Sequence, residues 1–187
     1  GGKVTLSQGL KAASSIWSSM SKGATSLIHQ GKSKRKINAK ALDSLMNISD
    51  ALSSAFDDSD QEHMRLLRDV YTCFFPDGTF SLVSAKWKEA GWQEPDPRKG
   101  LKTSGILALQ CIRYMHEHNA AKFQQLVTAN KGSTKTKYPF AVVAVNVTLV
   151  LAELLSLKNG KVEDSQIGCL DLFADEKTFF YIFVTCF

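Results

Sequence analysis

At 187 residues the chain is long enough for one domain with a sizeable core, and two full domains would be a squeeze. Hydrophobic residues at 44% and charged residues at 22% exclude a disordered or fibrous protein. Part of the net charge of +5 is gathered in Lys32, Lys34, Arg35 and Lys36, a basic run that suits a solvated linker, an anionic lipid surface or an acidic protein; without an interleaved aromatic platform it does not suit nucleic acid.

The chain reads as all-α. From Leu6, the residues Leu10, Ala13, Trp17, Met20, Ala24 and Leu27 recur at steps of three and four, which predicts a long amphipathic helix. Its polar face is rich in serine and poor in charge, so alone it would be marginal. Gly31 can end it, and the basic run then leads to Asn38, an N-cap for a second helix carrying Leu42, Leu45, Met46, Leu52 and Phe56. Residues 1–37 are thus expected to form an amphipathic helix and linker, and 38–187 a single multi-helix domain. The stripe with its serine face and basic run, residues 4–36, has the pattern of a lipid-packing sensor; docking on the domain's own core and a dimer seam are the other readings.

Ser59 and Glu62 have capping-box spacing ahead of Met64, Leu67, Tyr71 and Phe74, a helix that Pro76, Asp77 and Gly78 must end. Ser84 can cap a short helix containing Trp87 and closed by Gly91, after which Pro95, Pro97 and Gly100 describe an irregular loop. Periodicity resumes with Ile106, Leu107, Cys111, Tyr114 and Met115, breaks near Asn119, and continues through Phe123, Leu126 and Val127 to a stop at Gly132. Pro139 opens the next helix, running to about Leu157. The β-branched run Val142 to Val150 and the terminal TFFYIFVTCF could be strands on propensity; length favours a helix for the first.

The cysteines Cys73, Cys111, Cys169 and Cys186 are widely spaced in apolar surroundings, which predicts reduced core thiols and a cytoplasmic setting. No charged-then-apolar signal segment follows Gly1 and Gly2. His116, Glu117 and His118 cannot converge on one metal ion from a helix, because i and i+2 face apart. No catalytic triad, phosphate loop or dinucleotide signature is present, so neither a cofactor nor independent catalytic machinery is expected.

The segment WKEAGWQEPDPRKGLKTSGILALQCIRYM, Trp87 to Met115, resembles the central signature of the ELMO domain, and YPFAVVAVNVT, Tyr138 to Thr148, resembles a second block of it. The flanks from about Asn38 to Phe187 are compatible with the rest of that domain. The resemblance implies an all-helical module that acts on small GTPases. Stand-alone members activate GTP hydrolysis by Arf and Arf-like GTPases, whereas larger members use the domain within a scaffold for a Rac exchange factor. It further implies an arginine finger in a motif Asp-Pro-x-x-Asp-Phe-Arg-Gly. Here Asp96 and Pro97 are kept, but Gly100, Leu101, Lys102 and Thr103 stand where the acidic residue, aromatic residue, arginine and glycine belong.

That departure bears directly on chemistry. An arginine inserted against the transferring phosphoryl group contributes roughly 10³ to 10⁵ in rate, about 4 to 7 kcal/mol of barrier. Lysine keeps the charge but lacks the planar fork that grips two oxygens. Lys102 is therefore the candidate catalytic residue, with Arg98 as the alternative on the same loop. Trp92, Gln93, Asp96, Pro97, Lys99, Gly100, Leu101, Thr103 and Ser104 are the candidate contacts to the GTPase. A noncatalytic adaptor whose motif has decayed is the alternative function.

Overall fold

The computed structural model of the chain describes residues 38–130, 139–157 and 167–187. Every regular element among them is helical: α1 Ala39–Ser53, α2 Gln61–Phe74, α3 Lys86–Glu89, α4 Leu107–His118, α5 Ala120–Asn130, α6 Phe140–Leu154, α7 Ile167–Leu170 and α8 Thr178–Thr185, with 3-10 turns at Pro97–Gly100 and Asp171–Ala174. The stripe from Leu6 to Leu27, the basic run, the membrane-sensor reading of residues 4–36 and the stop at Gly132 lie outside the described residues. No helix among the described residues is long and apolar enough to cross a membrane.

Helix boundaries follow local chemistry, with two corrections to the sequence reading. Asn38 caps α1 as expected, its side-chain oxygen accepting from Lys40 N–H at 3.0 Å. The cap of α2 is Asp60 rather than Ser59: its carboxylate accepts from Glu62 N–H at 2.8 Å and His63 N–H at 3.1 Å. An ionised carboxylate at a helix N-terminus is the stronger partner for those donors, and it also opposes the macrodipole. Ser59 turns back instead, donating its backbone and hydroxyl hydrogens to Asp57. Phe56 lies outside α1, which ends at Ser53, and its ring instead neighbours His63 at 5.8 Å. The helix stops there because the carbonyls of Ala51 and Ser54 accept from Ile106 N–H, a partner that continued helix would displace.

The contacts divide the chain into two units, with the division falling inside α1 and inside α6. In the unit Asp50–Leu149, α2 packs on α4, and α4 on α5. Its core is aromatic: Phe74, Phe123 and Phe140 meet at ring separations of 5.2 to 5.8 Å. Tyr71 meets Trp87 at 5.2 Å, and Trp87 meets Trp92 at 6.4 Å, which carries the core outward to the loop after Gly91. Burial of each large side chain contributes about 1.5 to 3 kcal/mol. Trp87 is fully buried and still satisfied, because its indole N–H donates to Ser81 C=O at 3.0 Å.

The other unit joins, among the described residues, 38–49 with 150–157 and 167–187. It buries Leu45, Ile48, Leu151, Leu155, Leu170, Phe173, Phe179 and Phe183. Phe179 and Phe183 are fully buried while Tyr181 between them is half exposed; a strand would put all three on one face, so burial fixes this segment as helix. The run Val142 to Val150 is likewise helical, within α6. After α6, Ser156 takes a left-handed φ of 54°. Leu157 N–H reaches back to Ala152 C=O and Ser156 N–H to Glu153 C=O, the paired bonds of a Schellman stop.

Candidate functional site

The two signature blocks meet through a glycine. Gly91 has φ +95°, and a Cβ there would stand 2.5 Å from the backbone nitrogen of Phe140 and 2.8 Å from the carbonyl carbon of Pro139. Only a residue without a side chain allows this approach. Gly91 C=O then accepts from Val142 N–H at 3.3 Å, one of the donors that the start of α6 leaves without an intrahelical partner. The loop that follows is thereby laid along the first turns of α6.

Asp96 caps the 3-10 turn, accepting from Arg98 N–H at 3.1 Å, and Pro97 supplies the fixed φ of its first position. The Arg98 guanidinium folds back on the same carboxylate through Nε and Nη2, both at 2.9 Å, and its Nη1 donates to Asp58. The guanidinium holds the Asp96 carboxyl below the usual carboxylate range, and Asp96 in turn raises Arg98. Arg98 is thus spent on two carboxylates. Lys102, by contrast, is exposed and makes no ion pair or hydrogen bond with the described residues.

Beyond the turn, Leu101 is fully buried and anchors the loop to the core. Ser104 is also buried, its hydroxyl meeting no partner among the described residues. Gly105 has φ +53°, and a Cβ there would stand 2.5 to 2.6 Å from the carbonyl oxygens of Ala51, Leu52 and Ser54. Gly100, where the resemblance implies an acidic residue, stands close against the Trp92 ring, since an added Cβ would meet it at 2.8 Å.

A cleft of about 220 Å³ opens between this loop and α6. Trp92, Gln93, Glu94, Asp96, Lys99, Gly100 and Thr103 form one wall, and Val142, Val145, Asn146 and Leu149, at steps of three and four along α6, form the other. Of the sequence candidates, Trp92, Gln93, Asp96, Lys99, Gly100 and Thr103 are brought together around it. Pro97, Leu101 and Ser104 are buried beneath the loop, while Arg98 and Lys102 stand outside the lining. The α6 wall was missed as a contact surface. Its signal was Asn146, half-buried at the cleft, whereas the other polar residues of α6 lie elsewhere, Thr148 fully buried and Glu153 exposed.

The histidine cluster points in separate directions. His116 packs edge-on against Phe123 at 5.1 Å, His118 stacks on Tyr114 at 3.9 Å, and Glu117 pairs with Arg113 at 3.5 Å. Cys73, Cys111 and Cys169 are buried and Cys186 is half-buried, and none of the four forms a disulfide among the described residues. Burial pushes Cys73 up to about 11 and raises Cys111 further, so both stay protonated and unreactive.

A match to the ELMO/CED-12 family covers residues 46–187 and takes in both signature blocks with the cleft between them. The chain belongs to the ELMO/CED-12 family. Among curated relatives it is similar to ELMO domain-containing protein C of Dictyostelium discoideum, 22% identical over 72% of this chain and 21% of that protein. It is also similar to ELMO domain-containing protein B of the same organism, 25% identical over 57% of this chain and 37% of that protein. ELMO domain-containing protein 2 of Homo sapiens is 27% identical over 54% of this chain and 34% of its own length. The chain therefore spans between about a fifth and two fifths of these relatives. No solved structure matches it.

Proposed function

We propose that the chain is a small-GTPase regulatory module whose loop from Trp92 to Ser104 meets an Arf-family or Arf-like GTPase, with Lys102 in the place of the arginine finger. The observation that carries this reading is the contrast between the two loop cations: Arg98 is committed to Asp96 and Asp58, whereas Lys102 is exposed and unengaged by the described residues. An ammonium there would offset part of the charge that develops on the transferring phosphoryl group. It would do so as a point charge rather than a fork, which predicts activation well below that of an arginine. Membrane traffic is the setting such a GTPase implies, with any peripheral membrane contact assigned to residues 4–36.

A noncatalytic adaptor is the second reading, and one observation favours it. The Gly100 backbone stands against Trp92, so an acidic residue at 100 would have to displace the indole from its present place. Single-turnover GTP hydrolysis across a panel of Arf and Arf-like GTPases tests the two. Under the activating reading Lys102→Ala abolishes stimulation, and Lys102→Arg raises it by tenfold or more, about 1.4 kcal/mol of barrier. If neither the wild type nor Lys102→Arg stimulates any GTPase that it binds, the activating reading is wrong and the adaptor stands.

A further inference from the structure

The loop that bears Lys102 is fastened at both ends to one short stretch of chain, the last turn of α1 and the connector from Ser54 to Asp60 that follows it. At the near end Asp58 takes Nη1 of Arg98, whose other nitrogens grip Asp96. At the far end Ile106 N–H donates to Ala51 C=O at 3.1 Å and Ser54 C=O at 3.2 Å, and Gly105 is pressed against the same carbonyls. The connector is itself tied down. Asp57 N–H donates to His63 Nδ1 at 3.1 Å, Ser54 Oγ lies 3.4 Å from His63 Nε2, and Asp60 N–H donates to Asp57 C=O at 3.3 Å. Asp57 accepts both hydrogens of Ser59 besides, and the hydroxyl donor holds its carboxyl below the usual range. Asp58 is thus a carboxylate presented from a turn braced on both sides.

We propose that this connector is the positioning scaffold of the loop, and that Asp58 is a positioning residue which acts through Arg98 to set where Lys102 stands. The inference rests on the loop being the face offered to a GTPase, but the clamp has a readout of its own. Arg98 is the hinge pin of the arrangement rather than a second finger, since its Nε, Nη1 and Nη2 are all engaged. An unclamped loop would keep its far anchor at Gly105 and its buried Leu101, yet the turn from Pro97 to Gly100 would open.

The test is backbone hydrogen exchange on the full chain, read by peptide mass over residues 97–106, 61–74 and 107–118, with stimulated hydrolysis measured in parallel. Asp58→Asn is expected to speed exchange in 97–106 by about threefold to tenfold, the range that an exposed but networked ion pair supports, and to leave 61–74 and 107–118 unchanged. Asp58→Glu, which restores the carboxylate, should recover most of the protection. Where hydrolysis is stimulated, Asp58→Asn should lower the rate at saturating GTPase more than it weakens binding. Unchanged exchange over 97–106 overturns the proposal, as does equal acceleration over 61–74 and 107–118, which would mean general destabilisation. If the local exchange response appears but no variant engages a GTPase, the clamp stands and the GTPase reading falls.

Discussion

The loop after Gly91 is held by two different kinds of fastening. At Gly91 and Gly105 backbone is pressed on backbone, close enough that a single methyl group would collide with main-chain atoms at 2.5 Å. At Arg98 the fastening is made by charged side chains that keep some contact with solvent, Arg98 at 34% and Asp58 at 52% exposure. The first kind is fixed by excluded volume and is indifferent to pH and salt. The second is worth little in free energy and can yield. A loop built this way has immovable ends and an adjustable middle, and Lys102 sits between the clamp and the far junction.

The hardest way to break the arrangement is at the junctions. Gly91→Ala and Gly105→Ala each combine a left-handed φ with a main-chain collision, so each is expected to destabilise by about 3 kcal/mol or more in chemical denaturation. A loss under 1 kcal/mol at either site would mean that the backbone can withdraw and the contrast with the clamp is false. An intermediate effect is expected at Gly100. Its neighbour is a side chain, the Trp92 ring at 2.8 Å, and its backbone carries no positive φ, so Gly100→Asp should cost about 1 to 3 kcal/mol and displace the indole. Restoring the family motif in full is therefore a poorer test of Lys102 than the single Lys102→Arg.

The smallest effect belongs to the clamp itself and appears as a pH dependence. The folded-state carboxyl of Asp96 lies below its ordinary value because of Arg98, so its contribution is fully present above the unfolded value near ~3.9 and is lost as pH falls through the folded one. Loop protection should be flat from pH 8 to 5 and decline only below about pH 4, by under 1 kcal/mol, with 1 M salt weakening it at neutral pH. Protection that instead falls between pH 7 and 5 would mean that the Asp96 carboxylate is not what holds the loop.

Much of this was legible in the residues. Apolar periodicity located the described helices and Asn38 and Pro139 marked starts correctly, whereas the capped turn at Asp96 and Pro97 fell within a stretch that reads only as an irregular loop. What failed was local competition between similar groups: Ser59 and Asp60 both suit an N-cap, and spacing could not show that Asp57 would claim the serine. The helical state of Thr178–Thr185 was open for a related reason, since alternation and helical spacing both place Phe179 and Phe183 on one side. Of the site, the loop wall was readable as a motif, but the α6 wall and Asp58 were not. Asp58 precedes Arg98 by forty residues, and no period links an exposed aspartate to an arginine so far along the chain.

Trp92 has an optical consequence. Its indole forms part of the cleft wall and stands nearly perpendicular to Trp87 at 6.4 Å, whereas Trp87 is sealed in the core. The sequence holds three tryptophans, and Trp17 can be replaced by phenylalanine to leave this pair alone. Fluorescence from the pair then reports on the cleft: a molecule entering it alters the surroundings of the Trp92 ring, and two indoles this close respond together. The chain thus carries a built-in chromophore at the surface under question, and occupancy can be titrated without attaching a dye.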